Sequence, residues 1–198
     1  MKHSIIRLFD YSIISLVLCT TTGCFNEPEP AYKSVPSENR VYLSGKGLKV
    51  MPQVNAKADY LNLDRNQLEK ADGVEKLTEL KWLRLNDNRL AALPDLKALV
   101  NLRRIYLRNN KFAAVPETLK DLPSLTDIDL SGNPIKEVPQ WLVEKKGLKN
   151  ISFSRTQISK LPENLDAWKS LQSLQLGDLN ISAEEMARIR KAIPAVVF

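Results

Sequence analysis

From about residue 40 onward the sequence repeats itself every 22 or 23 residues. LKWLRLNDNRLAALPDLKALVN (80–101) aligns with LRRIYLRNNKFAAVPETLKDLPS (102–124), LTDIDLSGNPIKEVPQWLVEKKG (125–147) and LKNISFSRTQISKLPENLDAWKS (148–170). Upstream, ADYLNLDRNQLEKADGVEKLTE (58–79) fits with Ala58 opening the unit, and a partial copy, VYLSGKGLKVMP, occupies 41–52. LQSLQLGDLNI (171–181) begins a last one. A unit this short cannot bury its own apolar face, so tandem copies must stack and share one core. No other feature constrains the fold as much.

Each slot of the unit has a physical cause. The LxL alternation makes one short strand per copy, with the leucines pointing to one side. Asn66, Asn88, Asn110 and Asn133 recur where the chain leaves the strand. A buried carboxamide there can bond the free backbone groups of the turn. Thr156 takes that slot in the sixth copy and Lys46 in the first, so the ladder is expected to be looser at both. The prolines at 94, 116, 139 and 162 then turn the chain, and segments such as ETLKDL and ENLDAW return as short helical pieces. After Ile181 the pattern changes: Ser182 and Glu185 form a capping-box start, and Met186, Ile189 and Ile193 recur at helical spacing. This predicts a C-terminal cap helix over 182–198, ended by Pro194, with Ala195 to Phe198 closing the stack.

The consensus LxxLxLxxNxLxxLPxxLxxLxx resembles the leucine-rich repeat family, over about residues 40–198. The Leu-Pro and Val-Pro endings place it near the 23-residue subclass. The resemblance implies an α/β solenoid with a parallel concave sheet, short helical or 3-10 returns and a C-terminal cap helix. The expected organisation is a leader at 1–23, a tether at 24–39, six to seven repeats over 40–181 and the cap at 182–198.

The leader has a basic start (Lys2, Arg7), a short apolar run (Tyr11 to Cys19) and small residues leading to Cys24. That is the layout of a secretory signal peptide. Thr21-Thr22-Gly23-Cys24 resembles the lipobox of bacterial lipoproteins, although Thr21 stands where that family prefers Leu, Val or Ile. The resemblance implies acylation at Cys24, which would be the only cysteine of a chain cleaved before it. The proline-containing stretch that follows, FNEPEPAYKSVPSEN, reads as a tether. Several acyl chains would make membrane attachment effectively permanent. Phe25 is not the aspartate that commonly retains lipoproteins in the inner membrane, which favours the outer membrane.

Catalytic chemistry is sparse. His3 is the only histidine and lies in the leader, which removes Ser-His-Asp and Cys-His sites and the commonest metal ligand from the mature chain. No phosphate-binding glycine loop is present, and no cofactor is expected. Asp127 and Asp129, two apart on one strand, are the one pair of carboxylates that a glycan hydrolase could use; charges solvating a sheet face and pairing with the nearby Arg104 and Arg108 explain them more simply.

The positions that alternate with the strand leucines form three columns. Arg40, Tyr60, Trp82, Arg104, Asp127, Asn150 and Ser173 make the first. Tyr42, Asn62, Arg84, Tyr106, Asp129, Ser152 and Gln175 make the second. The third runs Ser44, Asp64, Asn86, Arg108, Ser131, Ser154, Gly177. Tyr42, Tyr60, Trp82, Arg84, Arg104, Tyr106 and Arg108 gather in the first four copies, and residues of these types dominate interface hot spots. Within WLRLNDN (82–88), Trp82, Arg84 and Asn86 are free of the demands of the repeat. The expected partner is a protein or peptide with an acidic, partly apolar surface, bound by a monomer. The formal net charge is +6, but nucleic acid is a poor partner for an exported chain. The sequence therefore reads as a non-catalytic, membrane-anchored protein-binding module of the bacterial envelope. A surface-displayed adhesin is the alternative within the binding class.

Overall fold

The computed structural model describes residues 39–198. The expected leader, Cys24 and nearly all of the tether lie outside the described residues. Eight parallel strands form one sheet in sequence order. They are β1 (Arg40–Tyr42), β2 (Tyr60–Asn62), β3 (Trp82–Arg84), β4 (Arg104–Tyr106), β5 (Asp127–Asp129), β6 (Asn150–Ser152), β7 (Ser173–Gln175) and β8 (Val196–Val197). The registers link Arg40, Tyr60, Trp82, Arg104, Asp127, Asn150 and Ser173 in one line, and Tyr42 through Gln175 in the next. The first two of the three columns read from the sequence are therefore physical rows of the sheet. β8 was not expected; it pairs Val196 with Leu174 and Val197 with Gln175.

The core is made by the leucine slots. The strand centres Leu61, Leu83, Ile105, Ile128, Ile151 and Leu174 are buried, as are Leu63, Leu85, Leu107, Leu130, Phe153 and Leu176 one slot on. The returns supply the opposite wall. They are 3-10 turns at Val74–Lys76, Glu117–Leu119 and Asp166–Ser170 and a five-residue helix, α1, at Gln140–Glu144. Strands stack ~4.8 Å apart, whereas helical segments are ~10 Å across, so the stack curves with the sheet on its inner side.

Asparagine ties successive copies together. Asn110 Nδ2 donates to the carbonyls of Leu85, Leu107 and Arg108, and its Oδ1 accepts from Leu90 N. Asn88 does the same for Leu63, Leu85, Asn86 and Leu68, and Asn133 for Leu107, Leu130, Ser131 and Phe112. Each side chain thus satisfies groups in its own copy and in the one before it. Asn66 bonds Lys46 N and Leu48 N, so the ladder starts in the second copy. Thr156 donates only within its own turn, to the Phe153 carbonyl at 2.8 Å.

Immediately before this slot the backbone is left-handed in each copy: Arg65, Asp87, Asn109, Gly132 and Arg155 all have φ between 53° and 67°. At Gly132 a Cβ would fall on the Asn109 carboxamide oxygen, so any other residue there would have to displace the Asn109 side chain.

At the C-terminal end α2 (Ala183–Ala192) closes the core with Met186, Ile189 and Ile193. Ser182 caps it by accepting from Glu185 N at 3.2 Å. Glu185 does not complete a reciprocal capping box, because its carboxylate is used elsewhere. Oε1 accepts from Leu161 N at 2.9 Å, and both oxygens bind the Arg188 guanidinium. Arg188 in turn donates to the carbonyls of Leu161, Pro162 and Glu163. The cap is therefore tied to the turn of the sixth copy. At the other end, Val41, Leu43, Leu48, Met51 and Val54 are only partly buried.

The ladder predicts unequal costs along the stack. Asn110→Ala orphans a buried N–H and buried carbonyls and should cost about 3 kcal/mol, whereas Thr156→Ala removes one local bond and should cost about 1 kcal/mol. Urea unfolding of the two variants measures the difference; equal losses would remove the ladder from the account.

Candidate functional site

The inner face of the sheet carries the candidate site, and the strand register sets its geometry. Tyr60 pairs with Trp82 across β2 and β3, and Trp82 with Arg104 across β3 and β4. Their side chains leave the same face of adjacent strands and stack. The ring centroids of Tyr42 and Tyr60 are 5.1 Å apart and those of Tyr60 and Trp82 are 5.8 Å apart. The Arg104 guanidinium carbon lies 4.4 Å from the centroid of the Trp82 ring, a cation–π contact. Tyr42 belongs to the next register line, opposite Asn62, and meets Tyr60 diagonally, so Tyr42, Tyr60, Trp82 and Arg104 form one continuous run of contacts. Arg84 and Tyr106, joined at 5.4 Å, run beside it. Arg108 belongs to the third column and faces Asp87 at 3.6 Å.

Exposure divides these residues by role. Tyr42 is 51% exposed, whereas Tyr60 is 7% exposed and covered by its neighbours. Trp82, Arg84, Arg104 and Tyr106 are half-buried. Asn86 differs from its sequence reading: it is 5% exposed, and its Oδ1 accepts from Arg108 N at 2.8 Å. A short polar side chain between longer ones on adjacent strands becomes part of the packing. Asn62 and Asp64 are buried for the same reason.

The arginines are not isolated charges. Arg84 makes a two-pronged pair with Asp64, at 2.8 Å from Nε and 2.7 Å from Nη2, and Asp64 Oδ1 also accepts from Asn86 N. Arg104 faces Asp127 at 3.7 Å. Pairing of Asp127 with a nearby arginine was expected from the sequence, whereas Asp64 was passed over; its signal was its place in the copy next to Arg84. Removing Arg84 would leave the buried Asp64 carboxylate without its cation, so Arg84→Ala is a stability change as well as a surface change.

The carboxylates of Asp127 and Asp129 are both engaged by neighbouring side chains. Asp129 is 3% exposed, and its Oδ1 accepts from Ser131 N at 3.0 Å and from Ser131 Oγ at 2.6 Å. Asp127 accepts from Thr126 Oγ1 and from Asn150 Nδ2 and faces Arg104. Among the described residues no group of three His, Cys, Asp or Glu side chains could hold a metal ion. The same residues include no helix long and apolar enough to cross a membrane.

A single parallel sheet of one-strand units, laddered by asparagine and bearing side chains for contact on its inner face, defines a leucine-rich-repeat solenoid. Residues 78–135 match the model of the leucine rich repeat family. Two solved structures are similar to it. An internalin from Listeria monocytogenes strain 4b F2365 shares 20% identity at a TM-score of 0.59, over 76% of this chain and 44% of that one. YopM from Yersinia enterocolitica WA-314 shares 27% identity at a TM-score of 0.59, over 73% of this chain and 30% of that one. The chain therefore spans less than half of either protein. No curated protein matches its sequence.

Burial pushes the Asp129 carboxyl above the ordinary aspartate range, against the Ser131 hydrogen bonds that pull it down. A raised folded value means that folding favours the protonated form. Stability is lost as pH rises from the ordinary aspartate value of ~3.9 through the folded one. Asp129→Asn keeps the Oδ1 acceptor and removes that loss. The variant should gain on the wild type as pH rises above the ordinary aspartate value in urea unfolding; a constant difference would show that burial does not govern this group.

Proposed function

We propose that the chain is a non-catalytic, lipid-anchored protein-binding module of the bacterial envelope. It captures its partner on the N-terminal half of the concave sheet. The observation that carries this reading is the row Tyr42–Tyr60–Trp82–Arg104, with Arg84 and Tyr106 beside it. Rigid aromatic area with polar edges is what binding hot spots consist of, and solenoids of this class use their concave surfaces for recognition. The guanidinium groups favour a partner with acidic residues. The engagement of Asp127 and Asp129 in hydrogen bonds and ion pairing argues against the glycan-hydrolase reading.

Attachment through Cys24 is supported by the leader and by TTGC at 21–24. Phe25 favours the outer membrane. Whether the module faces the periplasm or is displayed as an adhesin is decided by protease shaving of whole cells: loss of the chain means display, and protection means a periplasmic position.

Two measurements test the proposal. A fatty-acid probe fed to cells should label the wild type and fail to label Cys24→Ser; equal labelling of both contradicts the anchor. For binding, Tyr42→Ala combined with Trp82→Ala should abolish capture of the partner from envelope extract, and Arg84 is left intact so that Asp64 keeps its cation. Unchanged capture by the folded double variant would move the binding surface elsewhere.

A further inference from the structure

We propose that the aromatic row seats an extended, proline-rich segment with acidic residues, held in the left-handed polyproline conformation. This deepens the concave-face reading above and rests on it. Tyr60 forms a floor, 7% exposed, between Tyr42, 51% exposed, and the half-buried Trp82. The rings are tilted by 41° and 57° to one another, so the row is corrugated. Successive centroid distances of 5.1 and 5.8 Å place Tyr42 and Trp82 within about 11 Å of each other.

A polyproline II segment has three residues per turn and rises ~3.1 Å per residue, so one of its faces recurs every ~9.3 Å. Lying across the strands, it would set every third residue against Tyr42 and then against Trp82. Proline rings pack flat on aromatic rings, and the segment's carbonyls point outward unpaired. The Tyr42 hydroxyl and the Trp82 indole N–H are donors of the right kind for those carbonyls.

The width of the row distinguishes this ligand from a helix. An amphipathic helix also repeats at a compatible distance, but its apolar face is at least ~100° wide. Seated here, its flank would cover the Arg84–Asp64 ion pair and desolvate it. A polyproline segment is slim enough to follow the diagonal run of rings from Tyr42 over Tyr60 to Trp82. Charge selects further. The side chains of Arg84 and Arg104 are 25% and 29% exposed, while their carboxylate partners Asp64 and Asp127 are set deeper, at 9% and 14%. A ligand on the row therefore meets guanidinium groups before carboxylates, and acidic residues beside its prolines are favoured.

The experiment titrates the chain with three synthetic peptides of equal length and charge: an acidic peptide with proline at every third position, the same peptide with glycine for proline, and an acidic amphipathic helix former. Binding is followed by the NMR indole resonances of Trp82, Trp141 and Trp168, and the affinity of every variant is measured by isothermal titration calorimetry. The proline peptide should shift Trp82 saturably and bind about tenfold more tightly than the glycine version, because it is preorganised. Trp82→Ala and, separately, Tyr42→Ala should each weaken it about tenfold, and Trp141→Phe should leave it unchanged. Tyr42 is exposed and in the first copy, which keeps the test independent of any folding defect in Trp82→Ala. Equal affinity for the proline and glycine peptides, preference for the helical one, or indifference to both variants would overturn the proposal. If the double variant loses its envelope partner while the proline peptide fails to bind, concave-face capture stands and this ligand class falls.

Discussion

The structure depends on what happens to the backbone where each strand ends. A three-residue strand that turns at once leaves carbonyls and N–H groups inside the stack, away from water and beyond the reach of the sheet ladder. In the second to fifth copies one asparagine bonds them, and because Asn88, Asn110 and Asn133 each reach into the preceding copy, the same bonds set the spacing between copies. Leucine burial supplies the driving force for the stack, but it has no direction of its own. The carboxamides convert a pile of apolar units into one with a fixed register.

That register makes the inner face a surface with rows. Because β2, β3 and β4 pair without slippage, Tyr60, Trp82 and Arg104 stand one strand apart and interact with each other rather than with solvent alone. The arginines are held in turn by Asp64, Asp87 and Asp127, which keep long side chains in defined places. Less ordering entropy is then lost when a partner docks. The later copies carry short polar side chains, so the two halves of the face differ in relief and chemistry. Function is read in the aromatic half.

Much of this was legible in the sequence because a repeat is read several times over. The LxL alternation gave the strand direction, the asparagine slot gave the turn, and aligning the copies gave the rows. Burial within the inner face was not legible. Alternation says which way Asn86, Asn62 and Asp64 point, but not that longer neighbours on adjacent strands will cover them. β8 was missed because Val196 and Val197 carry none of the repeat's pattern and pair only where α2 delivers them. Glu185 was read as half of a capping box, yet its carboxylate serves Leu161 N and Arg188. A local motif could not reveal a partner some two dozen residues away. The left-handed column was not read from the sequence: Asp87, Asn109 and Gly132 are residue types that tolerate that backbone, but Arg65 and Arg155 give no such signal.

The central claim is that the aromatic half of the concave face is where the partner sits. Hydroxyl-radical footprinting of the chain, alone and with its captured partner, tests it most directly. The account predicts that oxidation of Tyr42, Trp82 and Tyr106 falls on binding, while the exposed side chains of Val50 and Val100 remain as reactive as before. Protection of Val50 or Val100 with no change at Tyr42 and Trp82 would contradict it.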